Sequence, residues 1–138
     1  MVNVDASVTD GSTENYGVYN SSSTPSMTNV TARATGGGTN YYGVFNTSSS
    51  PTMVNVSAEA SGGGTNYAVY NTSLSSPSIR GSSLSGVDSI YTSADSSARV
   101  SDTMLSVSAT GPGTLTCVDV FGPNFAAAAN CEVPVIIS

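Results

Sequence analysis

A roughly 26-residue block returns along this chain, and that repeat limits its folds more than any other feature. Met1, Met27, Met53 and Ile79 stand at one constant interval. Met27-Thr28-Asn29-Val30-Thr31-Ala32-Arg33-Ala34 returns as Met53-Val54-Asn55-Val56-Ser57-Ala58-Glu59-Ala60, and an earlier copy starts at Met1. A second block reads Asn15-Tyr16-Gly17-Val18-Tyr19-Asn20, then Tyr41-Tyr42-Gly43-Val44-Phe45-Asn46, then Asn66-Tyr67-Ala68-Val69-Tyr70-Asn71. The third copy loses one residue before this block and regains one before Pro77. An indel pair that restores register implies that position along the repeat is fixed in space. Within a block apolar residues recur every second position, the period of a strand with one buried face. Gly36-Gly37-Gly38, Gly62-Gly63-Gly64, and Ser-rich tracts ending in Pro25, Pro51 or Pro77 separate the blocks, and these are turn residues.

One such repeat has no second apolar face of its own, so it buries its inward side only by stacking on the next copy. The expected fold is all-β, a parallel β-helix of about five coils spaced one strand apart. Its inward ladders are Met1/Met27/Met53/Ile79, Val4/Val30/Val56, Ala6/Ala32/Ala58, Val8/Ala34/Ala60 and Val18/Val44/Val69. Asn3, Asn29 and Asn55 form one amide column and Asn20, Asn46 and Asn71 another, since Asn accepts left-handed turns and stacked amides pair along the axis. Asn20, Asn29, Asn46, Asn55 and Asn71 also begin glycosylation sequons, read here first as turn formers. From Ile79 the spacing shortens, because the next counterpart strand already begins its Val-Ser-Asp run at Val100. Residues 1–116 are therefore expected to hold the coils and residues 117–138 a C-terminal cap loop and apolar tail strand.

Composition excludes several activities. There are 26 Ser and 16 Thr, only 9% charged residues, a formal charge of −6, and no His, Lys or Trp. Three Arg make no footprint for nucleic acid. Without His or Lys there is no Ser-His-Asp triad, Schiff base or phosphate loop. No apolar run is long enough to insert in a membrane, and neither a metal site nor a cofactor is expected. Cys117 and Cys131 enclose a short loop. A disulfide there would clamp the last coil, worth about 3 kcal/mol in the chain-entropy model, and points to an oxidising, extracellular or cell-surface setting.

Met27-Thr28-Asn29-Val30-Thr31-Ala32, the Asn-Tyr-Gly-Val-Tyr-Asn block, Ile79-Arg80-Gly81-Ser82, Ala98-Arg99-Val100 and Leu115-Thr116-Cys117-Val118 together resemble bacterial secreted right-handed parallel β-helix repeat proteins, of pectate-lyase-like solenoid architecture. The resemblance implies fold and secretion more than activity. Gly81 stands where that group tends to have Asn, so the resemblance does not carry the Asn column past Asn55.

Three functions compete for these residues. The first is a non-enzymatic assembly subunit, a homo-oligomer or homopolymer such as a filament. Its interface would be Met1 and Val2 at an open first coil, with Val133, Val135, Ile136 and Ile137 as a strand added to a neighbour's edge. The second is a surface or phage-type adhesin that binds glycan through an outward stripe of Tyr19, Phe45 and Tyr70. By strand parity, Tyr16, Tyr42 and Tyr67 should point inward or lie at a corner. The third, a polysaccharide lyase or hydrolase, needs paired carboxyls, and no regular column holds two; Asp88, Asp95, Asp102 and Asp119 lie in the irregular coils. No catalytic residue is assigned.

Overall fold

The computed structural model describes residues 1–11, 13–123 and 127–132. Its strands are β1 (Val2–Thr9), β2 (Glu14–Ser21), β3 (Ser26–Gly36), β4 (Asn40–Thr47), β5 (Thr52–Gly62), β6 (Thr65–Thr72), β7 (Ser78–Arg80), β8 (Ser83–Ser85), β9 (Asp88–Thr92), β10 (Ser97–Ser101), β11 (Met104–Leu105) and β12 (Thr114–Val118). All strand pairs are parallel. One sheet runs β1-β3-β5-β7-β10-β12, with β8 joining β5 to β11, and the other runs β2-β4-β6-β9. The chain is a parallel β-solenoid. About three full coils form, not five: beyond Ile79 the strands shrink to between two and five residues. The reason is local. β8 leaves β5 at Glu59, pairing it with Ser85, and the chain rejoins β6 at Tyr67, opposite Asp88. Among the described residues the corner built from residues 60–65 therefore has no paired counterpart below, and the Val87 N–H resumes contact at the Asn66 carbonyl.

Register matches the repeat. Met27 pairs with Met53 and Met53 with Ile79, and the Thr28 N–H donates to the Met1 carbonyl at 2.9 Å, which sets Met1 one level above. Val4, Ala6 and Val8 pair with Val30, Ala32 and Ala34, and these with Val56, Ala58 and Ala60. Val18, Val44, Val69 and Ile90 form a facing row. From the second coil on, these inward side chains are almost wholly buried. Both indels sit in turns. Gly62 to Thr65 takes one residue fewer than Gly36 to Asn40, the residues they pair with. The extra residue falls at Ser73-Leu74, where both have positive φ and Leu74 is 76% exposed. A turn absorbs such changes without moving the ladder above it.

Two ladders hold the coils together through polar atoms. Inside, Asn20 Nδ2 donates to Asn46 Oδ1 and Asn46 Nδ2 to Asn71 Oδ1, each at 2.9 Å, and Asn71 Nδ2 reaches Thr92 Oγ1 at 3.4 Å. Beside it, the Ser23, Ser49 and Ser75 N–H groups donate to the hydroxyls of Ser49, Ser75 and Ser96, all at 3.1 Å. Buried amides and hydroxyls are costly unless paired, and here each level supplies the partner for the next. This accounts for the Ser-rich turns better than solvation does.

At the other Asn column the backbone itself turns. Asn3, Asn29 and Asn55 have φ of 53°, 52° and 53°, and the column continues as Gly81 (56°), Asp102 (49°) and Asp119 (51°). Gly81 does not interrupt it. The requirement is left-handed backbone, which Gly meets without a Cβ and Asn or Asp meet at small cost. That extra residue lets Met27 and Val30, three apart, both face inward.

At the lower end Cys117 and Cys131 form a disulfide, with Cα atoms 5.7 Å apart. β12 runs across the expected boundary at residue 117 and pairs with β10. A 3-10 turn, Ala129–Cys131, lies beneath, and Val120, Ala128 and Cys131 are buried in the main core. The Ala128 N–H donates to the Val120 carbonyl and the Ala109 N–H to that of Cys131. Val133, Val135, Ile136 and Ile137 lie outside the described residues.

Replacing Asn46 by Ala removes the middle rung of the inner amide ladder and orphans two buried partners. Asn46→Ala should lower stability by about 2–3 kcal/mol, read from the urea midpoint. Arg33→Ala is the control: it breaks the exposed Arg33–Glu59 pair, 2.9 Å, and should cost less than about 1 kcal/mol.

Candidate functional site

Seven aromatic rings gather on the outer face of β2, β4, β6 and β9. Tyr19, Phe45, Tyr70 and Tyr91 stack in one column, with centroids 5.3, 5.1 and 4.8 Å apart and planes within 6°, 9° and 8°. Tyr16, Tyr42 and Tyr67 form a second column at 5.2 and 6.0 Å. The columns meet edge to face: Tyr16–Tyr19 at 5.1 Å and 74°, Tyr42–Phe45 at 5.0 Å and 79°. Tyr19 is 53% exposed, while Phe45, Tyr70 and Tyr91 are half-buried.

The second column corrects the parity expectation, because Tyr16, Tyr42 and Tyr67 face out beside the first. The cause is a bulge at Gly17. Asn15 is buried and Tyr16 half-exposed, and Gly17 and Val18 then both lie toward the core before Tyr19 turns out. A Cβ on Gly17 would stand 2.7 Å from the Arg33 nitrogen, and one on Gly43 2.9 Å from the Glu59 nitrogen, both atoms of the opposite sheet. Close approach of the two sheets therefore demands a very small residue there, and the extra residue flips the parity of everything before it. The Gly in each Tyr-Gly-Val block carried this signal, which simple alternation overlooks. Tyr91 joins the ladder through the Ser89-Ile90-Tyr91-Thr92 block. Tyr41, by contrast, is fully buried with Ala34 and Ala60 in a minor core, and its hydroxyl accepts the Gly38 N–H.

Burial raises the phenol pKa values of Tyr16, Tyr42, Tyr67 and Tyr70. Desolvation, with the nearby Glu14 carboxylate second, pushes Tyr42 up to about 12. Tyr16 is raised too, by desolvation and then by its hydrogen bond to Glu14 Oε2, 2.7 Å. Tyr67 and Tyr70 move the same way, again chiefly by desolvation. All four therefore carry their protons at neutral pH. Within each column the inner rings Phe45, Tyr70 and Tyr42 have another ring on both sides, so Phe45 and Tyr70 offer solvent only their rims and Tyr42 is buried. Tyr19, at the first level, has no ring above it.

A second surface is a groove of about 570 Å³ along the left-handed corner. Asn29, Asn55, Gly81 and Asp102 line it together with Ser57, Ser83, Met104 and Phe121. Its amides already serve the fold: Asn55 Nδ2 donates to Asn29 Oδ1 at 2.7 Å and Asn29 Nδ2 to Asn3 Oδ1 at 3.0 Å. Of the sequons, Asn20, Asn46 and Asn71 are buried, while Asn29 and Asn55 are exposed.

The carboxylates are dispersed. Asp102 and Asp119 share the corner column, one level apart. Asp95 caps a turn, accepting the Ser93 hydroxyl, which holds its carboxyl below the usual range. Asp88 pairs in register with Tyr67. Among the described residues no three His, Cys, Asp or Glu side chains come together as a metal site, and no helix is long and apolar enough to cross a membrane.

The third surface is the upper rim. Among the described residues, β1 and β2 each pair on one side only. Val4, Ala6 and Val8 remain partly exposed where their lower partners are sealed, and Val2 is 65% exposed. Compared with family models, curated proteins and solved structures, the chain matches none.

The raised phenols predict a stability loss in alkali. Below pH 10.0, the ordinary phenol value, the contribution is fully present. As pH rises toward about 12 the unfolded chain releases protons that the folded rings keep, and the contribution is lost. Urea midpoints should fall over that range, and Tyr42→Phe should flatten the decline; equal slopes would contradict the burial of that ring.

Proposed function

We propose that this chain is a non-enzymatic extracellular structural subunit that associates through its upper rim. The observation that carries the reading is the unsealed first coil. Val4, Ala6 and Val8 face inward and stay partly exposed, beneath two strand edges that pair with no further strand among the described residues. Such an edge is a template for another strand. The lower end is different, because the disulfide-clamped turn covers it. Two copies therefore do not stack coil on coil, top to bottom. Residues 133–137, an apolar stretch beyond that cap, suit the role of the added strand, laid along the rim of the next copy. Repetition of that contact produces a filament.

The disulfide supports an oxidising setting outside the cytosol. A secreted or surface location of bacterial β-helix type agrees with it and with the low charge. The wild-type chain should form polymers whose mass grows with concentration, seen by sedimentation velocity and negative-stain microscopy. A chain ending at Glu132 should not grow, nor should Val4→Lys, which sets an inward charge on the edge strand. Wild-type protein that stays monomeric at high concentration would defeat the proposal.

A second reading, glycan binding by an adhesin, draws on the aromatic patch. Tyr19 is the one ring of the patch that is mostly exposed, so sugar stacking would centre there and not along the whole stripe. On this reading Tyr19→Ala should abolish glycan retention while Tyr70→Ala only weakens it, in a glycan-array measurement; equal effects would argue for rim contacts instead.

A further inference from the structure

Three tyrosines, Tyr67, Tyr70 and Tyr91, crowd the lower end of the aromatic patch, where the third full coil meets the shortened one. Tyr67 and Tyr91 lie 5.3 Å apart, centre to centre, with planes tilted by 52°. Tyr70 and Tyr91 are nearer, 4.8 Å, but parallel within 8°. The difference matters chemically. A bond between ortho carbons joins two phenols side by side with a twist, and a tilted pair is closer to that geometry than a face-to-face stack. All three rings are half-buried, so they are held in place yet keep part of their surface in solvent.

We propose that Tyr67 and Tyr91 form an oxidative cross-linking site that joins the third coil to the one below by a dityrosine bond. The co-reactants are hydrogen peroxide and a peroxidase, a one-electron oxidant. Each phenol loses one electron and one proton to become a phenoxyl radical. The radicals couple at their ortho carbons, and the two ortho hydrogens leave as protons that return to the phenoxyl oxygens. Overall two phenols lose two electrons and two protons, and one peroxide takes them up to become two waters. Asp88, in register beside Tyr67, offers a carboxylate to receive a proton. The rings above provide a route for the electron hole, since Tyr16, Tyr42 and Tyr67 follow one another at 5.2 and 6.0 Å and Tyr19 beside them is exposed. The cross-link needs no second copy, so it stands apart from the assembly reading. It would add a covalent rung between coils that reductants cannot break, unlike Cys117–Cys131.

The chain suits a direct test because its only basic residues are Arg33, Arg80 and Arg99. Trypsin cuts between Tyr67 and Tyr91 at Arg80, so the bond fuses residues 34–80 to residues 81–99. Dilute protein is treated with peroxidase and hydrogen peroxide, the monomer is isolated, the disulfide is reduced, and the digest is read by mass spectrometry and dityrosine fluorescence. The fused peptide, two hydrogens lighter than its parts, is the expected result. Tyr91→Phe should abolish it without unfolding the chain, since Phe45 already occupies the same column. Tyr67→Phe should remove most of it. Absence of the fused peptide from the monomer, or equal yield in Tyr91→Phe, overturns the proposal. Full yield in Tyr67→Phe moves the bond to Tyr70 and overturns the assignment to Tyr67.

Discussion

Parallel pairing of each coil with the coil below is the constraint from which the rest follows. Once Met27 sits over Met53 and Val30 over Val56, every side chain has a near-identical neighbour one strand spacing away. Like groups must then be able to satisfy one another. Ala and Val do so by packing, Asn by donating an amide hydrogen along the column, Ser by accepting a backbone N–H, and the aromatic rings by offset stacking. A chain with few charges fits this arrangement, because like charges in register repel. The one column with charge at successive full coils places Arg33 over Glu59, opposite in sign.

The corners show what is required and what is interchangeable. Asn3, Asn29, Asn55, Gly81, Asp102 and Asp119 differ in side chain and agree in φ. Backbone conformation, not the amide, defines that column. Likewise Gly17, Gly43 and Ala68 are kept small by the approach of the opposite sheet. Positions bounded by backbone tolerate little, while the turns at Gly62–Thr65 and Ser73-Leu74 take deletions and insertions freely.

The two ends differ for the same reason. A coil's inward residues are sealed by the coil above and the coil below. At the lower end the disulfide and the turn Ala129–Cys131 provide that cover; at the upper end Val4, Ala6 and Val8 have one neighbour layer among the described residues. This asymmetry turns a structural repeat into a directional surface. It also separates the rim from the aromatic patch, whose rings have already found partners in each other.

Much of this was legible in the residues themselves. The constant period from Met1 to Ile79, the strand alternation, the inward ladders and the Cys117–Cys131 pair are local or periodic facts, and stacking identical units leaves a solenoid as their common solution. Other features depended on three-dimensional contact. The number of full coils followed from where the chain cuts the corner after Glu59, and spacing alone does not reveal which turn has been dropped. The outward face of Tyr16, Tyr42 and Tyr67 followed from a bulge forced by the distance between the sheets. Sequence determined which residues lie at equal heights; the tertiary structure decided which way they point, because that depends on how closely the opposite wall approaches.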